Sequence, residues 1–336
     1  MTMATLKVRE SARKTRRRHA KKRSWNLLFV LLGTLILLYP VAATLWNDHR
    51  LERIAEEYSK NVQAIKPEET VERYIDDARA YNAELAAQGE TPEVLFWVGC
   101  AGSFDDRAKR IIKAFAHLLQ KAGVRFAVLG TEESCTGDPA KRAGNEFLFQ
   151  MQAMMNIEVL NSYHVTKIVT TCPHCFNTIK NEYPALGGNY EVMHHTQLLK
   201  TLIDEGRLTV ETGTFKGKRI TFHDPCYLGR ANKVYNAPRE LLSKLEVDLV
   251  EMKKCKSRAM CCGAGGAQMF KEAEKGDKEI NVLRTEQALE VRPDIIATAC
   301  PFCNTMMTDG VKTKEKETQV KIYDIAELMA NENTIL

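Results

Sequence analysis

The sequence predicts an α/β fold of two pseudo-symmetric parallel-sheet repeats, preceded by one N-terminal transmembrane helix. Three observations predict it. From Pro92 onward, short β-branched runs alternate with amphipathic helical stretches, the rhythm of right-handed βαβ units. Cysteines recur at intervals of 35, 37 and 3 residues from Cys100 and at 35, 39 and 3 from Cys226, so one pattern is written twice. Residues 25–46 carry no charge and follow a strongly basic run, as a membrane-crossing helix does.

At the N-terminus, ten Lys and Arg crowd into residues 7–23 of a chain whose net charge is +5. Residues 1–24 therefore read as a basic cytoplasmic tail beside the span, and the rest of the chain shows no nucleic-acid footprint. "WNLLFVLLGTLILLYPVAATLW" (25–46) is long enough to cross a bilayer, with Trp25, Tyr39 and Trp46 at interfacial depths. It reads as an uncleaved transmembrane anchor, because its apolar run exceeds an ordinary signal core. Residues 47–87 are polar and helical in pattern, with a break at Pro67, and form a linker. Localisation follows: a single-pass membrane protein.

The first repeat, 88–212, opens with a buried strand in "EVLFWVG" (93–99), then a helix over 105–123 that ends at Gly123. A strand at 125–130, a long helix from Pro139 to Asn161, and strands at 167–171 and 190–195 follow. The second repeat, 213–336, has strands at 218–224, 248–252, 294–299 and 320–329, with helices around 237–245 and 278–290. Each half is Rossmann-like, and its sites are expected at the carboxyl ends of the strands.

Cys100, Cys135, Cys172 and Cys175 of the first half, and Cys226, Cys261, Cys262, Cys300 and Cys303 of the second, all fall at or just beyond such strand ends. Three loops per half would bring them to one pocket. Ten cysteines in 336 residues are too sparse for a disulfide scaffold, so clustered pairs point to a metal or to redox chemistry. Zinc takes four thiolates in a closed tetrahedron, which the first half could supply. The second half offers five, and two of them are adjacent. Neighbouring residues seldom reach one small ion from one side, whereas a cluster presents separate irons. The glycines of "CCGAGG" (261–266) would let backbone amides approach sulfur.

Two resemblances carry further. "LLYPVAATLWNDHRLERIAEEYSKNV" (37–62) and "ARAYNAEL" (78–85) resemble the membrane-anchored start of class C sortases over residues 15–86. The β-barrel, catalytic His, TLxTC-type cysteine and Arg of a sortase do not follow, so sortase activity is not expected. "HDPCYLGR", "MCCGAGGAQMF" and "TACPFCNTMM" resemble the CCG cysteine-rich domain family over residues 88–336. That family includes the heterodisulfide reductase B subunit and iron–sulfur subunits of lactate, glycolate and glycerol-3-phosphate oxidising systems. The resemblance implies a non-cubane [4Fe-4S] cluster on Cys226, Cys261, Cys262, Cys300 and Cys303. The first half departs from the motif: it has "ESCTGDP" (133–139), with one cysteine of the doublet missing. Its four thiolates leave open an ordinary [4Fe-4S] cluster, a cluster with an oxygen ligand or an open iron, or zinc.

The expected function is the iron–sulfur subunit of an oxidoreductase complex, with one or two [4Fe-4S] clusters passing electrons to a disulfide or similar acceptor. A ferredoxin-domain or flavin-containing partner would deliver them. The alternatives are a zinc-stabilised binding module without redox activity and a thioredoxin-like thiol oxidoreductase acting through "CPHC" (172–175). No catalytic residue is singled out. His174 reads either as a donor to sulfur or as a solvent-facing loop residue; His223 and Asp224 stand close enough in sequence to Cys226 to act near the site. His194 and His195 align with Tyr323 and Asp324 and read as capping residues. Cys255 lies outside both registers, and Met151, Met154 and Met155 have the spacing of a core face. The basic start places the cysteine-rich part outside the membrane, while its resemblance is to cytoplasmic proteins. This conflict, with the change of resemblance near residue 86, suggests separate origins for the two parts.

Overall fold

The computed structural model describes residues 31–43, 46, 49, 80, 92–211, 213–272 and 275–331. The chain divides into two units, Met1–Glu72 and Arg73–Leu336. In the first, residues 31–43 are helical, in the middle of the predicted span. Among the described residues no helix is long and apolar enough to cross a membrane; residues 25–30, 44 and 45 of that span lie outside them, as do nearly all of the linker 47–87 and of the sortase-like stretch.

The second unit holds two four-stranded parallel sheets. The first half runs β1 (Val94–Trp97), α1 (Gly99–Phe104), α2 (Asp106–Lys121), β2 (Phe126–Ala127), α3 (Asp138–Arg142), α4 (Glu146–Ser162), β3 (Lys167–Thr170), α5 (Pro173–Asn181), β4 (Glu191–His194) and α6 (His195–Asp204). The second runs β5 (Arg219–Phe222), α7 (Asn236–Ser243), β6 (Asp248–Leu249), α8 (Ile280–Leu289), β7 (Ile295–Thr298), α9 (Pro301–Thr313), β8 (Lys321–Asp324) and α10 (Ile325–Ala330), with one π-helical turn at Tyr227–Ala231. The strand orders are β2-β1-β3-β4 and β6-β5-β7-β8. In each sheet the order reverses between the first and third strands, the switch point at which open α/β sheets build sites.

Local chemistry explains the elements. Strands β1 and β7 are buried along their whole length, so they read as continuous apolar runs rather than alternating ones. Asp105 caps α2 by accepting from the Arg107 and Ala108 amides at 2.8 and 3.1 Å, and Ala108, Ile111, Phe115, Leu118 and Leu119 form its buried stripe. One hydrophobic core runs through both halves, from Phe96, Phe115 and Phe176 to Phe222, Leu241 and Ile325.

Three expectations need correction. The helix expected from Pro139 to Asn161 is two helices, because Gly144 takes φ +86° and Asn145 starts α4 by accepting from the Leu148 amide. The strand expected at 320–329 stops at Asp324, which caps α10 with Glu327 in a capping box. Met151, Met154 and Met155 are 45%, 58% and 58% exposed and are not core; Phe149, Ala153, Ile157 and Leu160 fill the inner face of α4 instead.

Candidate metal centre

The repeated Cys-Pro-x-Cys phrase has a local explanation. Cys172 and Cys300 are the extended residues before α5 and α9, and Pro173 and Pro301 occupy the first helical position, where a missing N–H costs nothing. Cys175 and Cys303 then lie in the first turn, near free backbone N–H groups and the positive end of the helix dipole. Both phrases follow the third strand of their sheet, beside the helical turns after the first strand, where Cys100 lies in the first turn of α1 and Cys226 precedes the π-helical turn.

The structure gathers the nine predicted thiols into two groups. In the first, Cys100 contacts Cys135 and Cys172 contacts Cys175, with Cys100 and Cys135 close enough to act electrostatically on Cys175. In the second, Cys226 contacts Cys261, Cys261 contacts Cys262, Cys262 contacts Cys303 and Cys303 contacts Cys300. The groups adjoin at Cys172 and Cys300, each of whose thiols shifts the pKa of the other. Cys172, Cys175, Cys262, Cys300 and Cys303 are buried, whereas Cys100, Cys135, Cys226 and Cys261 are half-buried at the mouths. Cys255, also half-buried, makes none of these contacts, as its place outside both registers implied.

Crowding polarises the thiols. Hydrogen bonds from Cys226 and Cys262, with the Gly263 and Gly265 amides, hold Cys261 far below the usual thiol range. The thiols of Cys175 and Cys300 do the same for Cys172, and that of Cys100 lowers Cys135. Their partners move the other way; Cys262 is pushed up to about 12 by its bond to Cys261 and by burial. The Gly137 N–H reaches Cys135 Sγ at 3.5 Å and the Gly263 N–H reaches Cys261 Sγ at 3.3 Å. Both glycines have positive φ, +85° and +103°, so these matching turns exclude a side chain for conformational reasons. Gly99 has φ +80°, and a Cβ there would lie 3.4 Å from Cys175 Sγ.

These donors fit a thiophilic group. All nine offer soft sulfur donors, and amide N–H groups already point at Cys135 and Cys261. Five converging thiols exceed the four that a closed zinc site takes.

The residue replacing the missing cysteine is Thr136. Glycine follows it as Gly263 follows Cys262, and its hydroxyl lies 4.0 Å from Cys175 Sγ, where Cys262 meets Cys303. Ser134 turns away and donates to Asn156 Oδ1 at 2.8 Å. Sequence reading missed Thr136 as a site residue, although the shared interval of 35 already put it in register with Cys262.

The flanking residues divide by role. His174 is buried, not solvent-facing; its Nδ1 meets Asp138 Oδ2 at 2.8 Å, and its ring packs on Tyr227 and Phe302. That places it between the halves, where the hydrogen bond to Asp138 and the charges of Cys172 and Cys261 raise its pKa against the effect of burial. Asp224 acts at a distance from the thiols: it takes a bidentate pair from Arg239 at 2.8 and 2.9 Å and the Lys256 amide at 2.7 Å, fixing the loop that leads to Cys261. His194 caps α6 through a box with Gln197. Strand pairing puts His194 in the place of Asp324, since Thr170 faces His194 as Thr298 faces Asp324, one residue from the expected alignment. His223 shares a triangle with Cys262 and Cys303 whose donor atoms lie within 4.8 Å of one another.

Comparison with known proteins agrees with this duplication. The cysteine-rich domain (CCG) matches residues 94–180 and again residues 220–308. The chain is 50% identical over 248 residues to a probable iron-sulfur-binding oxidoreductase, FadF, of Bacillus subtilis, covering 74% of this chain and 35% of that protein. It is 47% identical over 251 residues to the EtfAB:quinone oxidoreductase of Syntrophomonas wolfei, covering 73% of this chain and 35% of the other. To one polypeptide of the dihydromethanophenazine:CoB--CoM heterodisulfide reductase of Methanosarcina barkeri it is 35% identical over 249 residues, 71% of this chain and 58% of that polypeptide. The chain thus spans about a third of the length of the first two relatives. Two matched copies, each with its own converging thiols, make this chain a member of the CCG cysteine-rich domain family.

Proposed function

We propose that the chain is the iron–sulfur electron-transfer part of a larger oxidoreductase, with a [4Fe-4S] cluster in each repeat. The adjacency of Cys172 and Cys300 carries this reading: it sets two thiol groups side by side, as a relay requires and two separate structural zinc sites do not. Cys226, Cys261, Cys262, Cys300 and Cys303 would hold the second cluster, of the non-cubane kind implied by the family resemblance. Cys100, Cys135, Cys172 and Cys175 would hold the first, with the Thr136 hydroxyl at the fifth position. Bound clusters supply one-electron carriers; the protein buries their inner side, directs the Gly137 and Gly263 amides at sulfur, and so tunes their potential.

The half-buried Cys100, Cys135, Cys226 and Cys261 mark the side that a ferredoxin-like or flavin-bearing donor approaches. The acceptor is a disulfide or a further redox centre; relatives are named for a quinone and for a heterodisulfide. Burial of Cys172, at 2% exposure, argues against thiol–disulfide exchange at "CPHC". Residues 25–46 would tether the chain to a membrane, supported by their uncharged run and the helix at 31–43; another relative is named a probable membrane-anchored ferredoxin.

Full-length protein purified without oxygen should be brown and should bleach reversibly under a one-electron reductant. A colourless protein containing stoichiometric zinc would end this reading.

A further inference from the structure

The second thiol group is backed by a buried cation that, among the described residues, forms no ion pair with a carboxylate. Arg284, on α8, is 0% exposed. Its Nε donates to His223 Nδ1 at 3.0 Å, and its Nη1 to the Lys254 carbonyl and Gln287 Oε1 at 2.9 and 3.0 Å, while Nη2 has no partner. The neighbouring carboxylate of Asp224 is held by Arg239 and the Lys256 amide. An unpaired guanidinium inside a protein is costly. Asp224, already held by Arg239, acts on Arg284 most strongly, and Cys303, Cys255 and Cys262 add to it, so the second site's thiols supply part of the negative charge that offsets the guanidinium.

The same contact settles where the proton of His223 sits. A guanidinium only donates, so His223 Nδ1 accepts and the one ring proton of a neutral imidazole is on Nε2. A ring that accepts the guanidinium hydrogen bond at Nδ1 is the neutral imidazole. Nε2 is buried and has no protein partner, and the ring belongs to the triangle with Cys262 and Cys303. A ligating histidine presents a lone pair to the metal and gives its other N–H to an acceptor. Here a cation occupies that other side, so His223 is a donor toward the site and not a ligand.

The first site differs in charge. The interval of 126 that relates Cys100 to Cys226 relates Trp97 to His223, and Trp97 Nε1 is also a buried donor without a partner. An indole carries no charge and accepts no hydrogen bond at nitrogen, so it cannot hold a guanidinium as His223 does. Nearby, the half-buried Glu133 carboxylate accepts from the Val98 and Gly99 amides at 2.9 and 2.5 Å and lies within electrostatic reach of Cys135.

We propose that Arg284 and His223 form a positioning pair, one fixed charge and one directed N–H, that raises the reduction potential of the group held by the second site above that of the first. The inference rests on the iron–sulfur reading. Adding an electron adds negative charge, which a nearby cation and an N–H on sulfur favour and a nearby carboxylate opposes. The two sites are therefore ordered, with the second as the electron sink.

The test is a redox titration of the anaerobic full-length protein followed by electron paramagnetic resonance, with iron and sulfide measured on the same samples. Two steps are expected, and the higher belongs to the second site if the variant C261S/C262S lacks it. In Arg284→Gln the higher step should fall by at least about tenfold in its equilibrium constant, ~59 mV for one electron, with the lower step unmoved. Arg284→Lys should fall less. Full iron with unmoved potentials, or an equal shift of both steps, overturns the proposal. If Arg284→Gln loses iron, wild-type protein labelled with [15N]histidine decides. A weak 15N coupling on the signal of the second site, retained in His174→Asn, supports the N–H donor. A strong coupling from directly bound nitrogen, or none, overturns it. Absence of iron and sulfide from wild-type protein would instead remove the underlying reading.

Discussion

Replacing Cys261 and Cys262 together by serine should halve the iron of the protein, from about eight atoms to about four per chain. Cys261 is the hub of the second group, in contact with both Cys226 and Cys262 and approached by the Gly263 and Gly265 amides. Cys262 links that hub to Cys303. A serine hydroxyl is a poor substitute for a soft thiolate toward iron, so the second site would lose two of its five proposed ligands at once. The first group shares none of these residues and should keep its iron. The fold should survive, because Cys261 and Cys262 lie in a loop and the small cluster around Cys262, Ala264, Cys300 and Cys303 stands apart from the main core. Iron and sulfide analysis with circular dichroism checks this. Full retention of iron would deny ligation by the doublet, and loss of all iron would deny two independent sites.

Asp324→Ala should destabilise the protein by about 2–4 kcal/mol, from the loss of a helix cap and of buried hydrogen bonds. The Asp324 carboxylate accepts from the Ala326 amide at 3.0 Å at the start of α10 and meets His195 Nε2 of the other half at 3.0 Å. Both side chains of this pair are fully buried. Burial pushes Asp324 up to about 7 and His195 down to about 3, so each is costly to leave alone. Removing the carboxylate strands the His195 donor and uncaps α10. Thermal or denaturant unfolding reads the effect. A change within about 0.5 kcal/mol of wild type, the range of an ordinary surface substitution, would deny that this contact joins the halves.

Much of the architecture was legible because it repeats. The cysteine intervals announced the duplication, and the buried strands β1, β3, β5 and β7 lie within the apolar runs read for them. Helices α5 and α9 were not read, because the Cys-Pro-x-Cys phrase looks like a loop until Pro is recognised as a first helical residue. The strand expected at 320–329 hid a capping box, since "YDIAELM" continues the apolar texture across the change from β8 to α10. At the site, the thiols were legible from spacing, but their supports were not. Arg284 looks in sequence like an exposed residue of an amphipathic helix, and only burial shows its charge turned inward. Trp97 and Thr136 could have been found by extending the repeat register beyond cysteine, to 97 against 223 and 136 against 262. The exposed Met151, Met154 and Met155 misled because α4 is apolar on both faces, so periodicity could not select the inner one.

The most direct measurement is the iron and acid-labile sulfide content of the anaerobically purified full-length chain. Two occupied sites predict about eight of each per chain; about four would mean that one repeat is only a scaffold, and zinc without sulfide would contradict the account outright.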